Sequence, residues 1–436
     1  MTFNIPDTDQ PRIVIVGAGF GGLSLARKLA KTNYQIILID KNNYHQFQPL
    51  FYQVAMAGLE PSSISFPLRK VFQKKKNVFI RVTSVTEIDT ENNEINTPLG
   101  KLHYDQLVIS IGAKTNFFGN KNLEQKCISM KSVSEALYLR NRILSDYEKA
   151  VSTTDYDKRQ GLIDIAIVGG GPTGVEVAGA LAEMKKYIIP KEYKELDFEE
   201  IDIYLIQSSS CLLKGMSPEA SEGAKMFLEN LGVKVILNKR VMDFDGEYVH
   251  LEDDSKIQAQ KVIWAAGITG NTLKGLPDGT LTYGSRLKVD RFNQVEGFTN
   301  VFALGDIAYM EEEKYPKGHP QVAQVAIQQA KQLSENLKNK LKGKEFNQFF
   351  YKDLGSMATI GRNRAVVDLP RFKFKGFFAW IIWLIVHLFS LIGVKNKIFV
   401  FLNWVWNYFT YDQSLRLIIK PKVRQEKEND STLKVE

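Results

Sequence analysis

Two stretches of this 436-residue chain share one layout, and this repeat limits the fold more than any other feature. In each stretch a run of apolar residues ends in a cluster of glycines, a helical pattern follows, and a second apolar run closes the unit. The first unit covers residues 12–40 and the second covers residues 162–207. A strand, a helix and another strand in this order form a βαβ unit, whose two strands are parallel. We therefore predict an α/β fold built on two such units.

The first glycine cluster, GAGFGG, has the spacing GxGxxG. Gly17 permits a tight turn, Gly19 lets the backbone approach a pyrophosphate, and Gly22 allows the helix to pack closely on the strand. The following helix then directs free N–H groups at the phosphates. Asp40 ends the next strand, where a carboxylate binds ribose hydroxyls. The glycine spacing alone is also compatible with a structural loop, but the complete order predicts a dinucleotide site.

The second cluster, GGGPTG, repeats this spacing at Gly169, Gly171 and Gly174. Its second strand ends at Gln207 instead of a carboxylate. A glutamine amide is neutral and can donate a hydrogen bond, so discrimination against the 2′-phosphate of NADPH should weaken. Alternatively, Gln207 is a neutral replacement and another residue selects the nucleotide. Two dinucleotide sites in one chain suggest FAD and a nicotinamide nucleotide, with hydride passing between their rings.

The C-terminal part differs in composition from the rest. Four of the five tryptophans lie between residues 377 and 411, among long apolar runs. A helix over residues 377–394 would be about 27 Å long, borderline for a hydrocarbon core of roughly 30 Å. A spanning hairpin would carry the basic turn at 395–397 across the membrane, whereas helices in the interface keep it beside anionic headgroups. We predict monotopic attachment, with a buried dimer interface and a true span as the alternatives.

Charge and cysteine content exclude several classes of protein. The formal net charge is +8, and Cys127 and Cys211 are the two cysteines, far apart in sequence. We therefore expect neither a disulfide scaffold nor a cysteine-rich metal site, and we assign no metal ligands. The basic run at 74–76 has little aromatic interleaving, so nucleic-acid binding is not expected. The opening residues MTFNIPDTDQPR do not resemble a signal peptide, and we expect a protein that stays in the cytoplasm.

Four further segments carry a family resemblance: NNYHQFQPLFYQVAMAGLEP (42–61), VIWAAGI (262–268), ALGDIA (303–308) and PQVAQVAIQQA (320–330). Together with both glycine loops, they resemble the type II NADH dehydrogenases, the single-chain NADH:quinone oxidoreductases. The resemblance runs over nearly the whole chain. It implies two Rossmann-like dinucleotide-binding domains, non-covalent FAD, NADH as the electron donor, a membrane quinone as the acceptor, and a C-terminal helical segment that docks on the membrane.

The resemblance also assigns site residues. Asp306 would contact the ribityl or phosphate portion of the flavin, and Gln321, Val322 and Ala323 would lie at the isoalloxazine ring. The other predicted cofactor-binding residues flank the glycine loops and the strand ends: Phe20, Gly21, Lys41, Val82, Ala113, Pro172, Thr173, Val175, Ala266 and Gly267.

Three polar residues are candidates for catalysis. The quinone-site motif of the family, AQxAxQ, is matched at residues 323–328, and a helix puts Gln324 and Gln328 on one face, where an uncharged donor suits a quinone carbonyl. From the residues alone, this stretch is an amphipathic helix with a solvated polar stripe. Glu176 corresponds to the glutamate that the family places near the nicotinamide and flavin rings. It could supply a proton if its pKa is raised, it could couple the two substrate sites, or it could only interact with the helix dipole.

We therefore expect hydride transfer from NADH to FAD and then two-electron reduction of a quinone, without proton pumping. We also expect a homodimer, attached peripherally to the cytoplasmic face of the inner membrane. The expected domains are an FAD-binding domain in two parts (1–130 and 276–345), a connecting helix and linker (131–160), an NAD(P)H-binding domain (161–275), a membrane-docking region (346–420) and a polar tail (421–436).

Other functional classes use a similar fold. Disulfide-linked flavoprotein reductases and sulfide:quinone reductases need cysteines at the flavin, and Cys127 and Cys211 lack that context. A ferredoxin reductase would have no use for the aromatic C-terminal segment. A redox-controlled binding protein, similar to apoptosis-inducing factor, could use that segment as a docking surface. Slow quinone reduction together with a long-lived reduced flavin would favour this last alternative.

Overall fold

The computed structural model describes residues 2–277, 279–282, 284–411 and 415–419. The predicted polar tail at 421–436 lies outside these residues. The strands are β1 (Arg12–Val16), β2 (Gln35–Asp40), β3 (Tyr44–Gln46), β4 (Ser65–Pro67), β5 (Val78–Val82), β6 (Glu87–Asp89), β7 (Glu94–Thr97), β8 (Gly100–His103), β9 (Gln106–Ile109), β10 (Ala113–Thr115), β11 (Ile165–Val168), β12 (Ile203–Ile206), β13 (Lys234–Ile236), β14 (Val241–Phe244), β15 (Tyr248–Leu251), β16 (Lys256–Gln258), β17 (Lys261–Trp264), β18 (Ile268–Gly270), β19 (Leu281–Thr282), β20 (Arg286–Lys288), β21 (Val301–Ala303), β22 (Ala308–Tyr309), β23 (Ser356–Thr359), β24 (Ala365–Asp368) and β25 (Lys373–Lys375).

Helices connect and cover these strands. The α-helices are α1 (Phe20–Leu29), α2 (Phe51–Ala55), α3 (Pro61–Ile64), α4 (Leu68–Val71), α5 (Lys121–Lys126), α6 (Val133–Val151), α7 (Tyr156–Ile163), α8 (Pro172–Tyr187), α9 (Ile189–Glu192), α10 (Pro218–Glu229), α11 (Ala323–Lys340), α12 (Phe377–Ser390) and α13 (Val394–Thr410). Short 3₁₀ helices lie at Gln48–Leu50, Phe198–Glu200 and Gly305–Ile307.

The first glycine loop follows β1, at the carboxyl ends of the strands of a parallel sheet with the order β21–β9–β1–β2–β5. β1 lies in the middle of this sheet, and its apolar residues are buried, as expected for a strand that is covered on both faces. The strand β21 follows the second glycine unit along the chain. The polypeptide therefore re-enters the first sheet after it has completed the second.

The second glycine loop joins β11 to α8 in another parallel sheet, with the order β13–β12–β11–β17. The four residues of β11 are all buried. Each parallel sheet thus carries one glycine loop between its central strand and the next helix. This arrangement confirms the prediction of an α/β fold with two dinucleotide-type units.

The C-terminal part consists of the antiparallel sheet β23–β25 and the helices α12 and α13. The turn between the two helices differs from the predicted turn at 395–397. The chain turns at 391–393, where Gly393 adopts a φ of +83° that suits glycine. The basic residues at 395–397 instead form the first turn of α13, and the Asn396 amide donates to the carbonyl oxygens of Ser62 and Ser65, both at 3.3 Å.

The two C-terminal helices are packed on one side and exposed on the other. Trp383 and Val400 are fully buried in the hydrophobic core that also contains α2, α6 and α8. Phe378 and Phe409 are each 77% exposed. With 14 residues, α12 is only about 21 Å long. Within the described ranges, no helix has both the length and the apolar character needed to cross a membrane.

Candidate active site

The first glycine loop has the geometry of a phosphate cradle. Gly17 has a φ of +100°, and a Cβ atom there would overlap the carbonyl of Ser110. A Cβ on Gly22 would overlap the carbonyl oxygen of Gly17, so these two positions need glycine for steric reasons. In contrast, a Cβ on Gly19 would meet no atom within 4 Å. Gly19 therefore lies on the open side of the loop, at the N-terminus of α1, where a phosphate group can approach the backbone.

Asp40 fixes this loop and remains available to a ribose. Its carboxylate accepts the N–H of Ala18 at 2.7 Å and the N–H of Asn42 at 2.7 Å. Burial raises the pKa of Asp40, and these two hydrogen bonds oppose that effect. Because each carboxylate oxygen has a second lone pair, Asp40 can still accept hydrogen bonds from the two hydroxyls of a ribose.

The second glycine loop repeats this geometry. Gly169 has a φ of +112° and lies against the backbone of Ala265, and a Cβ on Gly174 would overlap the carbonyl oxygen of Gly169. Gly171 is open on the side facing away from the protein, as Gly19 is in the first loop. Two loops with the same steric requirements are thus presented by two different sheets.

Gln207 occupies the place of Asp40 in the second unit. Its Oε1 accepts the N–H of Gly170 at 2.8 Å, which is the counterpart of the bond between Asp40 and Ala18. Its Nε2 donates to the hydroxyl oxygen of Ser209 at 2.6 Å. The amide orientation is therefore fixed by the glycine loop, and the second Nε2 hydrogen remains available as a donor.

Both units contribute to one large cavity of about 670 Å³. This volume lies within the usual range for cofactor sites. The predicted residues that line the cavity are Gly17, Gly19, Phe20, Gly21, Asp40, Lys41, Ala113, Pro172, Thr173, Glu176, Asp306, Gln321, Val322 and Ala323. The structure therefore brings most of the residues predicted for the first nucleotide together with the start of α8 from the second unit.

The other predicted cofactor residues lie outside this lining. Gly22 and Gly174 pack against the carbonyl groups of the first glycine in their own loops. Val82 pairs with Asp40 in the sheet and is 45% exposed. The remaining residues belong to the second unit and surround its own loop: Gly169, Gly171, Val175, Gln207, Ala266 and Gly267.

The two candidate quinone-site glutamines make reciprocal bonds to one backbone segment. The Gln324 amide donates to the Gly355 carbonyl at 3.1 Å and accepts the Leu354 N–H at 3.0 Å. The Gln328 amide donates to the Lys352 carbonyl at 2.9 Å and accepts the Lys352 N–H at 3.1 Å. The structure thus places both amides on the segment that leads into β23, while their neighbour Ala323 lines the cavity.

Glu176 is 9% exposed and lines the cavity from the first turn of α8. Burial raises its pKa to about 8, although the Thr359 N–H, 3.5 Å from Oε1, and the Trp383 indole oppose the shift. The Glu176 carboxyl is therefore mostly protonated at neutral pH, and a buried protonated carboxyl can act as a proton donor.

Sequence reasoning missed other residues of the cavity. Lys131 is placed near Asp306, whose charge opposes the lowering of the Lys131 pKa by burial. His387 reaches the cavity from α12, and its Nδ1 lies 2.8 Å from the Trp383 carbonyl oxygen. Burial lowers the pKa of His387 to about 4, so the ring is neutral. The sequence did carry a signal for His387, because it is the one ionisable residue in the apolar stretch 377–394.

Two nucleotide loops that contribute to one cavity, with His387 of an apolar helix in its lining, define a two-dinucleotide flavoprotein oxidoreductase. Comparisons with known proteins agree with this class. Residues 11–330 match the pyridine nucleotide-disulphide oxidoreductase family, and residues 354–411 match the NDH2 C-terminal domain. The chain is 36% identical to the type II NADH:quinone oxidoreductase Ndh of Mycobacterium tuberculosis, over 92% of this chain and 90% of the relative.

More distant relatives extend the same pattern. An internal alternative NAD(P)H-ubiquinone oxidoreductase from Arabidopsis thaliana is 25% identical over 92% of this chain and 84% of its own length. The structure of NDH2 from Plasmodium falciparum in complex with NADH has a TM-score of 0.86 and 25% identity, and the match covers 94% of this chain and all of that one. The chain belongs to the type II NADH:quinone oxidoreductases. Family membership confirms the expected oxidoreductase class, with FAD, NADH and quinone as its reactants.

Proposed function

We propose that this chain binds FAD in the large cavity, oxidises NADH bound at the second glycine loop, and reduces a membrane quinone that enters beside α12. The observation that carries this proposal is the shared cavity. Gly19 of the first loop, Thr173 of the second loop and His387 of α12 all line it. The donor nucleotide, the flavin and a quinone from the membrane side can therefore meet in this cavity.

The residues around the first loop fit FAD. The open loop at Gly19 receives the pyrophosphate, and Asp40 accepts hydrogen bonds from the adenosine ribose. Asp306 and Lys131, which are half-buried and of opposite charge, line the cavity where the polar ribityl chain would pass. Bound FAD supplies the two-electron carrier, which amino-acid side chains do not provide.

Glu176 is proposed to hold the proton that the quinone acquires, since it is buried in the cavity and protonated at neutral pH. Gln324 and Gln328 are proposed to act on the quinone path by fixing the segment at 352–355 against α11. Their neighbours Ala323 and Ala326 line the cavity, so this segment supports the wall past which a quinone would move.

Gln207 is proposed to let the enzyme use NADPH in addition to NADH. A carboxylate would repel a 2′-phosphate, whereas the neutral amide keeps the bond to Gly170 and offers a donor. The Gln207→Glu variant is a conservative test, because a carboxylate accepts the same kind of backbone bond at Asp40. We expect this variant to lower kcat/KM for NADPH relative to NADH by about tenfold or more, from the repulsion between like charges.

Membrane attachment is proposed to use the exposed side of α12 and α13, with the protein on the cytoplasmic face as a homodimer. Large apolar side chains such as Phe378 and Phe409 are exposed there, and Lys395 and Lys397 stand at the start of α13. Aromatic rings and basic groups together suit the interface of an anionic bilayer. Light scattering of the detergent-solubilised protein tests the dimer.

The activity is tested with purified protein in mild detergent, a short-chain quinone, and NADH or NADPH as alternative donors. Rapid quinone-dependent oxidation of NADH supports the proposal, and the two donors are then compared in the Gln207→Glu variant. If NADH reduces the flavin but quinone does not reoxidise it, the enzymatic proposal fails and a redox-controlled binding protein becomes the better account.

A further inference from the structure

A second, smaller cavity of about 100 Å³ lies next to the large one. Tyr52 lines both cavities, so its side chain forms part of the wall between them. Glu176 faces the large cavity and Glu183 faces the small one. Both glutamates belong to α8 and are seven residues apart, which puts them on the same side of the helix. A polar cavity of this size can hold a few water molecules.

Glu183 is held in the small cavity by the loop between β23 and β24. The N–H of Arg362 donates to Glu183 Oε1, and Gly361, with a φ of +68°, leaves room for the carboxyl group. Burial raises the pKa of Glu183, while the positive charges of Arg362 and Arg364 lower it. Among the described residues, the charged and titratable groups that face Glu183 are these two arginines, Tyr52 and Tyr408 of the same cavity lining, with Glu176 beyond Tyr52.

The hydrogen bonds of Tyr52 fix the direction in which its hydroxyl can donate. The indole of Trp404 can only donate, and it donates to Gln53 Oε1 at 2.7 Å. Gln53 must therefore direct Nε2 at the Tyr52 hydroxyl oxygen, 2.8 Å away. Among the described residues, no group accepts the Tyr52 hydroxyl proton at hydrogen-bond distance. That proton is available to water or a carboxyl group on either side of the wall, where Glu176 and Glu183 both act on Tyr52 electrostatically.

The proposed reaction needs a proton from solvent in each turnover. NADH supplies two electrons and one proton, whereas reduction of a quinone to a quinol consumes two electrons and two protons. Whichever group protonates the quinone must therefore be reloaded from outside. We propose that Glu183, water in the small cavity and Tyr52 form the proton-uptake route that reloads Glu176. This inference rests on the proposed function and adds a route for its second proton.

The far side of the small cavity is tied to the C-terminal helices. The guanidinium of Arg362 donates to the carbonyl oxygens of Asn407 at 2.7 Å and Tyr408 at 3.0 Å, at the end of α13. All three residues are half-buried and line the small cavity. The route therefore begins beside the end of α13 and runs along α8 toward the large cavity.

The test compares the flavin-loaded wild type with Glu183→Gln, which keeps the shape of the side chain and removes its titratable proton. NADH should reduce the flavin at the same rate in both proteins. At neutral pH, Glu176 begins the reaction protonated, so the first quinol should form at the wild-type rate. Later turnovers need reloading and should be slower by about 100-fold, the lower end of what a positioned proton donor contributes. The variant thus shows a burst of one quinol for each active site.

A second readout uses the oxidised, flavin-loaded enzyme without NADH or quinone. After transfer to D₂O, infrared spectroscopy follows deuterium exchange at the protonated carboxyl of Glu176, whose band is identified by its loss in Glu176→Gln. Exchange should be slower by at least about tenfold in Glu183→Gln and in Tyr52→Phe, while Glu183→Asp should retain much of the wild-type rate. A purely structural role of Glu183 would not produce this pattern.

The proposal is overturned if Glu183→Gln has the wild-type steady-state rate and unchanged exchange, or if it slows flavin reduction by NADH as much as quinol formation. If Glu183→Gln does not bind flavin, Tyr52→Phe decides: a burst followed by slow turnover supports the route, and a wild-type rate refutes it. Failure of the proposed function gives a different result, because the wild type itself would then not reduce quinone.

Discussion

Replacing Glu176 with glutamine removes the proton that we assign to quinone reduction in the large cavity. Burial raises the pKa of this carboxyl to about 8, compared with the ordinary 4.5. This difference corresponds to about 5 kcal/mol in favour of the protonated form. At pH 7 roughly nine in ten of these groups carry a proton, whereas an exposed glutamate would be almost fully ionised. The Glu176→Gln variant keeps the size of the side chain and cannot release a proton.

The pH dependence of quinol formation gives the first assay. NADH first reduces the flavin anaerobically, and a short-chain quinone is then added at pH 6 to 10 while the flavin absorbance is recorded. For the wild type we expect a constant rate below about pH 8 and a tenfold fall for each pH unit above it, because only the protonated form can donate. For Glu176→Gln we expect a flat profile, lower by about 100-fold. A variant that keeps the inflection near pH 8 would refute the assignment of the proton to Glu176.

Unfolding provides an independent assay with a definite sign. Between pH 4.5 and about 8, the folded state keeps the Glu176 proton and the unfolded state has lost it. Folding therefore takes up a proton, and the contribution of Glu176 to stability decreases as the pH rises through this window. Glu176→Gln lacks this contribution, so its Tm should rise relative to the wild type between pH 5 and pH 8. A Tm difference that does not change with pH would contradict the raised pKa.

Further substitutions test the two nucleotide loops and the membrane surface. At Gly22 and at Gly174, a Cβ atom would overlap a backbone carbonyl, at a cost of about 1–3 kcal/mol of strain. Gly22→Ala should therefore lose bound FAD, as measured by flavin absorbance. Gly174→Ala should keep FAD and weaken NADH binding by tenfold or more, as measured by NADH titration. The opposite assignment of the two losses would refute the roles of the loops. Phe409→Ser should weaken binding to anionic vesicles by about tenfold or more, as measured by co-sedimentation. The control is Phe350→Ser, because Phe350 is 67% exposed but lies outside α12 and α13. This control variant should bind the vesicles as the wild type does. Equal effects of these two changes would contradict membrane attachment through α13.

The parts of the fold that the sequence predicted are local. The requirement for glycine at 17 and 22 follows from contacts within one strand, loop and helix, so a short motif specifies it. The same holds for the second loop, and both sheets are parallel as the apolar runs predicted. The bond between Gln207 and Gly170 also follows from its position at the end of β12.

The parts that were missed depend on contacts between distant segments. His387 reaches the cavity because α12 packs on the sheet β23–β25 and places Trp383 against Tyr52 of α2. Glu183 faces Tyr52 across more than 130 residues of sequence. The amides of Gln324 and Gln328 bond to the segment at 352–355, which shares no local pattern with α11. Spacing along a helix shows that two side chains share a face, but it does not identify the segment that covers that face.

The most direct test of the central claim is an anaerobic titration of the purified, flavin-loaded protein. One equivalent of NADH should bleach the flavin absorbance, and one equivalent of a short-chain quinone should restore it with the formation of one equivalent of quinol. This result would establish that the protein passes electrons from NADH through its flavin to a quinone. If NADH bleaches the flavin and quinone leaves it reduced, the shared cavity is not a quinone-reducing site and the proposed function is wrong.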